Sequence, residues 1–166
     1  MITKNYAKYL LNPIFEDVYI GPVKDDITFQ TSVCSELLEW YQSFHPNKPR
    51  YDQFDILDHL KKAPYIILIK VLSTGAYEYR IQGEAVFELV GKRNQGVIFS
   101  PESEFPHLKR LANYFDGIVS QNAAVHSFGK LTSHGKPYAS AEALAVPLVD
   151  KNGHITHILS VMNLVN

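Results

Sequence analysis

Tyr65-Ile66-Ile67-Leu68-Ile69-Lys70-Val71-Leu72 is an apolar, largely β-branched run; Ser73-Thr74-Gly75 then turns the chain, and Tyr77-Glu78-Tyr79-Arg80-Ile81-Gln82 alternates apolar with polar residues. A period of two is that of a half-buried strand, and two strands across a short turn form a β-hairpin. Antiparallel pairing is therefore expected from the middle of the chain. Gly83 closes the hairpin, Glu84 to Val90 reads as a short helix, and Gly91 suits its C-terminal end.

Downstream, Phe105, Leu108, Leu111, Ala112, Phe115, Ile118 and Val119 mark the longest helix, with Pro106 in its first turn. Three strands follow: Val125 to Thr132, Ser140 to Val149 and His154 to Val165. Pro147 inside the second points to a bulge or a sheet edge. Upstream, Val33, Leu37, Trp40, Tyr41 and Phe44 share one helical face, with Ser32 as N-cap and Pro46 and Pro49 as the stop. A shorter helix is expected from Asp55, with Ile56, Leu57 and Leu60 inward and Pro64 ending it. Residues 1–30 have no clean period and read as an arm ahead of a domain spanning 31–166. Hairpins at both ends imply an α+β fold, an antiparallel sheet with helices packed on one face.

The chain has 166 residues, 46% hydrophobic and 20% charged, which suits one globular domain and excludes wholesale disorder. Sixteen Lys and Arg against 17 Asp and Glu give a formal charge of −1, too little cationic excess for a duplex nucleic-acid binder. The start lacks a signal peptide's apolar region, and no apolar run approaches the ~18 residues of a membrane helix. With Cys34 as its one cysteine, the chain excludes an intramolecular disulfide and a Cys-based zinc site, and a cytoplasmic location is expected.

Catalytic patterns fail on spacing. Gly129 to Pro137 has five residues between its glycines and Pro after Lys136, where a phosphate-binding loop needs four and Ser or Thr. Ser127 and Lys130 have the spacing of penicillin-recognising acylases, but on a strand they face opposite ways and the companion motifs are missing. No Gly-x-Ser-x-Gly or His-Glu-x-x-His occurs, and His154 and His157 also fall on opposite faces of a strand. The carboxylate pairs Asp25-Asp26 and Glu102/Glu104 read as solvated loop residues, and Cys34 as a buried, inert thiol. A binding role, not an enzymatic one, is the expectation.

Two strands, small helices, a longer helix and three strands is also the element order of a PAS domain. The segment Glu78 to Gly96 resembles one that identifies a bacterial PAS-like subgroup: a Tyr79-Arg80-Ile81 strand end, Gly83, a short helix, Gly91 with a nearby Arg, and a closing Gly96. Lys92-Arg93 stands where the subgroup has Arg directly after Gly. Leu37-Leu38-Glu39-Trp40-Tyr41, Phe54-Asp55-Ile56-Leu57 and Val146-Pro147-Leu148-Val149-Asp150 resemble further landmarks, so the likeness runs from Glu36 to Val165.

The resemblance implies a PAS-like five-stranded antiparallel sheet, helices over one face, and an N-terminal helical extension. It also implies a sensory domain that signals through a homodimer or a partner protein, with the Val33 to Phe44 stripe either pairing copies or capping its own sheet. The family's cofactors are haem, flavin or small metabolites. Cys34 lies outside the segment used by photoactive flavin members, and the long helix has His107 only at its first turn, so haem and covalent flavin chemistry are not expected. No cofactor is assigned; the expected occupant is a small apolar or aromatic ligand lined by Tyr79, Phe87, Phe115, His126 and Met162. The alternative is a ligand-free interaction module with a filled core.

Overall fold

The computed structural model describes residues 16–131 and 135–165. Strand β1 (Glu16–Pro22) precedes helix α1 (Ser32–Gln42), hairpin β2 (Ile66–Val71) and β3 (Tyr77–Gln82), and helix α2 (Glu84–Val90). Strand β4 (Ile98–Phe99), helix α3 (Pro106–Gln121), and strands β5 (Val125–Leu131), β6 (Lys136–Val149) and β7 (Ile155–Val165) complete it. All pair antiparallel in one sheet ordered β1-β5-β6-β7-β2-β3-β4. The five strands expected from the sequence are contiguous at its centre; β1 and β4 extend it by one at each edge. The sheet thus has seven strands, not five. Part of the expected arm is a sheet strand, β1, while residues 1–15 lie outside the described residues. So do residues 132–134 of the β5–β6 connection, at the expected hairpin turn.

Helices cover both faces of the sheet, where the sequence suggested one. The cause is visible along β6. Ala141, Ala143 and Ala145 point into a core with Val86 and Leu89 of α2 and Ala112, Phe115 and Ile118 of α3. The alternate residues Leu144, Val146 and Leu148 point the other way, into a core with Val33, Cys34, Leu37 and Leu38 of α1. A strand apolar on both sides belongs to a doubly covered sheet. Burying each such large aliphatic side chain contributes about 1.5–3 kcal/mol. The α1 stripe therefore caps its own sheet through Val33 and Leu37, which are 6% and 1% exposed.

Three local expectations change. Thr31, not Ser32, is the N-cap of α1, and its hydroxyl bonds outside the helix. The segment from Asp55 forms a 3-10 turn, Ile56–His59. With three residues per turn, Ile56 and His59 share the inner face, leaving Leu57 and Leu60 67% and 63% exposed instead of inward. Pro147 lies in a strand flanked by β5 and β7, not at an edge. The β5 pairing ends at Ala145, so no partner on that side needs the N–H that proline lacks. The nearby register shift falls at Leu148/Val149.

Candidate functional site

On the α1 side of the sheet, the β6 alternation that buries Leu144 and Val146 also buries Glu142, which is 0% exposed. A carboxylate there must be compensated, because an unpaired buried charge is among the costliest groups a fold can hold. Its partners come from two elements. Where the chain enters α1, Gln30 N–H donates to Oε2 at 2.9 Å, and Thr31 donates to Oε1 through its N–H at 2.9 Å and its hydroxyl at 2.7 Å. From β5, His126 Nε2 lies 3.1 Å from Oε2. Burial alone would push the Glu142 carboxyl up, but the bonds from His126, Gln30 and Thr31 outweigh it and hold the pKa at about 2. The ionised carboxylate only accepts, so Nε2 of His126 carries the proton.

This arrangement pins the start of α1 to the sheet. A negative charge at a helix N-terminus also meets the positive end of the helix dipole. Beside the pair lies a cavity of about 280 Å³, with Ile27, Phe128 and His126 in its wall and Glu142 at its base. Lys24 and Ile27 also line a second cavity of about 560 Å³, which extends along α1 past Leu38 and Tyr41. The segment carrying them is tied at one end by Val23 N–H to Ala124 O at 3.1 Å, and at the other by Glu142. A small molecule in the first cavity would touch this segment, the β5 imidazole and the anchor of α1 together.

The residues expected to line a ligand site divide between the two faces. Tyr79, Phe115 and Met162 are 4%, 3% and 0% exposed and lie in the core under α2 and α3. Rings fill that core: Tyr77, Phe99 and Phe115 stand 5.6–6.0 Å apart, and the Tyr77 hydroxyl donates to the Asp116 carboxylate. Phe87 is half-buried on α2 with the Arg93 guanidinium 4.2 Å above its ring. His126 faces the other way, toward α1, with Phe29 edge-on at 5.3 Å. It cannot share a cavity with the other four because the sheet lies between them.

Sequence reasoning misses Glu142, Gln30 and Thr31 as site residues. Their signal was present: residues 142, 144, 146 and 148 share one strand face, and three of them are apolar. Cys34 is fully buried beside Thr31 and Glu142, and burial pushes its thiol well above the usual range. Among the described residues no three His, Cys, Asp or Glu side chains converge as a metal set, and no helix is long and apolar enough to cross a membrane.

A second buried imidazole gives the fold an acid sensitivity. His157 on β7 is 7% exposed and lies flat under Tyr51, with ring centroids 3.5 Å apart and planes 10° apart. Burial first, then the Lys70 and Arg80 charges, lower its pKa from 6.5 to about 4. A histidine depressed on folding stabilises fully above 6.5, and that contribution is lost as pH falls toward 4. Because Lys70 and Arg80 are exposed and screened, the expected loss is about 2 kcal/mol. Urea unfolding at pH 7 and pH 4 measures it, and His157→Phe, which retains a ring under Tyr51, should remove most of that loss.

No family model and no curated protein matches the chain. Among solved structures, an RNA-binding Light-Oxygen-Voltage receptor aligns over 89% of this chain at 16% identity and a TM-score of 0.48. The chain spans 38% of that receptor's length. The dark structure of the blue-light photoreceptor Aureochrome1 LOV aligns over 68% of this chain and 84% of its own, at 13% identity and a TM-score of 0.45. The photo-excited blue-light photoreceptor Vivid aligns over 80% of this chain and 95% of its own, at 13% identity and a TM-score of 0.43. Likeness at this level assigns no function.

Proposed function

We propose that the protein is a ligand-binding sensory domain of PAS type, taking a small apolar or aromatic molecule between residues 24–30 and strands β5 and β6. One observation carries this reading: the roughly 280 Å³ cavity is lined by His126, the imidazole bonded to the buried carboxylate that anchors α1. All four bonds to Glu142 are internal, so the carboxylate leaves the ligand no unmet charge, and Ile27 and Phe128 favour an apolar body. Occupancy would move the 24–30 segment against its Glu142 anchor, and the start of α1 would carry the change to a second copy or a partner protein. The resemblance of Glu78 to Gly96 to PAS sequences supports the same reading. No step of it needs catalysis.

Native mass spectrometry of freshly purified protein tests it against the denatured mass. A native excess that vanishes on denaturation is expected, and Ile27→Trp, which fills the cavity, should abolish it while circular dichroism stays unchanged. A native mass without excess, together with no saturable binding of indole, would overturn it. The second reading, a ligand-free interaction module, is favoured by Leu57 and Leu60 standing exposed on one short turn. The same spectrum reads whether copies pair.

A further inference from the structure

Beyond the far end of α1, a cleft of about 420 Å³ opens between the loop after that helix, the β6–β7 turn and the C-terminal end of α3, meeting the 560 Å³ cavity at Lys48 and Asn122. It shares no lining residue with the cavity at Glu142. Lys48, Arg50 and Lys151 line it, with Asn47 and Asn122 between. The chain as a whole has one more acid than base, so three cations in one cleft are a local concentration. The single carboxylate in the wall, Asp150, is taken up by its own turn. Its Oδ1 accepts from Asn152 N–H at 2.8 Å and His154 N–H at 3.0 Å, and its Oδ2 lies 3.6 Å from His154 Nδ1.

The cations have no such partners inside the cleft. Among the described residues, neither the Lys48 nor the Lys151 ammonium has a carboxylate within 4.0 Å. Arg50 is held through Nε by Asp52 at 3.0 Å, and its two terminal nitrogens make no hydrogen bond among those residues. The backbone around it is fixed: Val149 N–H donates to Pro49 O at 3.0 Å, Arg50 bridges to Val149, and Arg50 N–H donates to Gln53 Oε1 at 2.9 Å. Phe44, held edge-on to Trp40 at 5.2 Å, supplies one aromatic wall.

We propose that this cleft binds a soluble phosphate monoester of about mononucleotide size, the phosphate meeting Arg50, Lys48 and Lys151 and the organic body lying along Phe44. A guanidinium fork matches phosphate oxygens in pairs, and flanking lysines add point charges that suit a doubly negative group better than a single carboxylate. The volume lies within the ~300–1,000 Å³ of small-molecule sites. This site stands whether or not the apolar cavity is occupied.

Calorimetric titration of the whole chain with adenosine monophosphate, and separately with inorganic phosphate, tests it at low and at raised salt. Saturable binding of the nucleotide is expected, tighter than that of phosphate alone and weaker at high salt. Arg50→Gln, and separately the Lys48→Gln/Lys151→Gln pair, should each raise Kd about tenfold or more. Lys70→Gln, an exposed lysine outside the cleft, should leave Kd unchanged. No saturable binding of either probe overturns the proposal, and so does equal weakening by Lys70→Gln, which would mean diffuse attraction. Nucleotide binding no tighter than phosphate overturns the role of Phe44.

Discussion

Glu142→Ala is expected to destabilise the folded chain by about 3–5 kcal/mol at pH 7, the range for breaking a buried ionic group by removing one partner. The size follows from what the substitution leaves behind. The Gln30 and Thr31 N–H groups, the Thr31 hydroxyl and His126 Nε2 all lose the Glu142 carboxylate as acceptor. Each buried donor that loses its acceptor carries a desolvation cost. Glu142→Gln keeps one oxygen but turns an NH₂ toward donors, so it should fall between Ala and the parent. The pH dependence is specific. Folding lowers this carboxyl from 4.5 to about 2, so its contribution is complete above 4.5 and is lost as pH falls from 4.5 toward 2. A shift of that size corresponds to about 3 kcal/mol. Urea unfolding across this pH range should show the slope in the parent and a flatter profile in Glu142→Gln. An Ala variant within about 1 kcal/mol of the parent would mean that the group is not buried as described.

The central hairpin, the long helix and the three final strands were legible because each buries a regular pattern. Tyr77 and Tyr79 alternate, Ala112, Phe115 and Ile118 recur at helical spacing, β6 carries the apolar run Ala143 to Val149, and β7 is rich in Ile, Leu and Val. The two edge strands were not. β4 is two residues long, too short for any period, and β1 was hidden in a segment broken by Gly21 and Pro22. Helix–sheet packing on both faces was readable in principle. In Leu144-Ala145-Val146-Pro147-Leu148 both alternating sets are apolar, a pattern that a one-face reading leaves unexplained.

The site was harder to read because its chemistry depends on long-range contacts. His126 is among the expected lining residues, yet its partner is sixteen residues away and the other three bonds to that partner come from more than a hundred residues off. Nothing local distinguishes Glu142 from a solvated strand residue except the apolar set that shares its face. A ring-rich interior suits a ligand pocket and a filled core alike, and Tyr79, Phe115 and Met162 fill a core. The cationic cleft is assembled from loops joined by the parallel bridge of Arg50 to Val149, and no sequence spacing joins Lys48 to Lys151.

Gly83→Ala is expected to cost about 3 kcal/mol or more, although alanine could adopt this backbone without strain. At φ −64° and ψ 154°, Gly83 sits in the ordinary extended region as the N-cap of α2. The difficulty is space. A Cβ there would run into Pro64 O and Pro64 C and lie 2.6 Å from Ala63 O, all backbone atoms. Those atoms belong to the Ala63–Tyr65 turn, closed by Tyr65 N–H to Lys62 O at 2.8 Å, while Gly83 N–H is itself held by Ile66 O at 2.8 Å. Neither side can rotate away as a flexible side chain would, so α2 or the turn must move and Val86 and Leu89 would leave the core they fill. Gly91 is the control. Its φ is +71°, which penalises any side chain, but a Cβ there meets nothing within 4 Å. Gly91→Ala should therefore cost only the left-handed backbone penalty, about 1–2 kcal/mol. Thermal unfolding of the two variants side by side separates crowding from conformation. At about 2–4 °C per kcal/mol for a chain of this size, Gly83→Ala should melt at least roughly 6 °C below the parent and clearly below Gly91→Ala. The reverse order would show that α2 does not approach the Ala63–Tyr65 turn this closely.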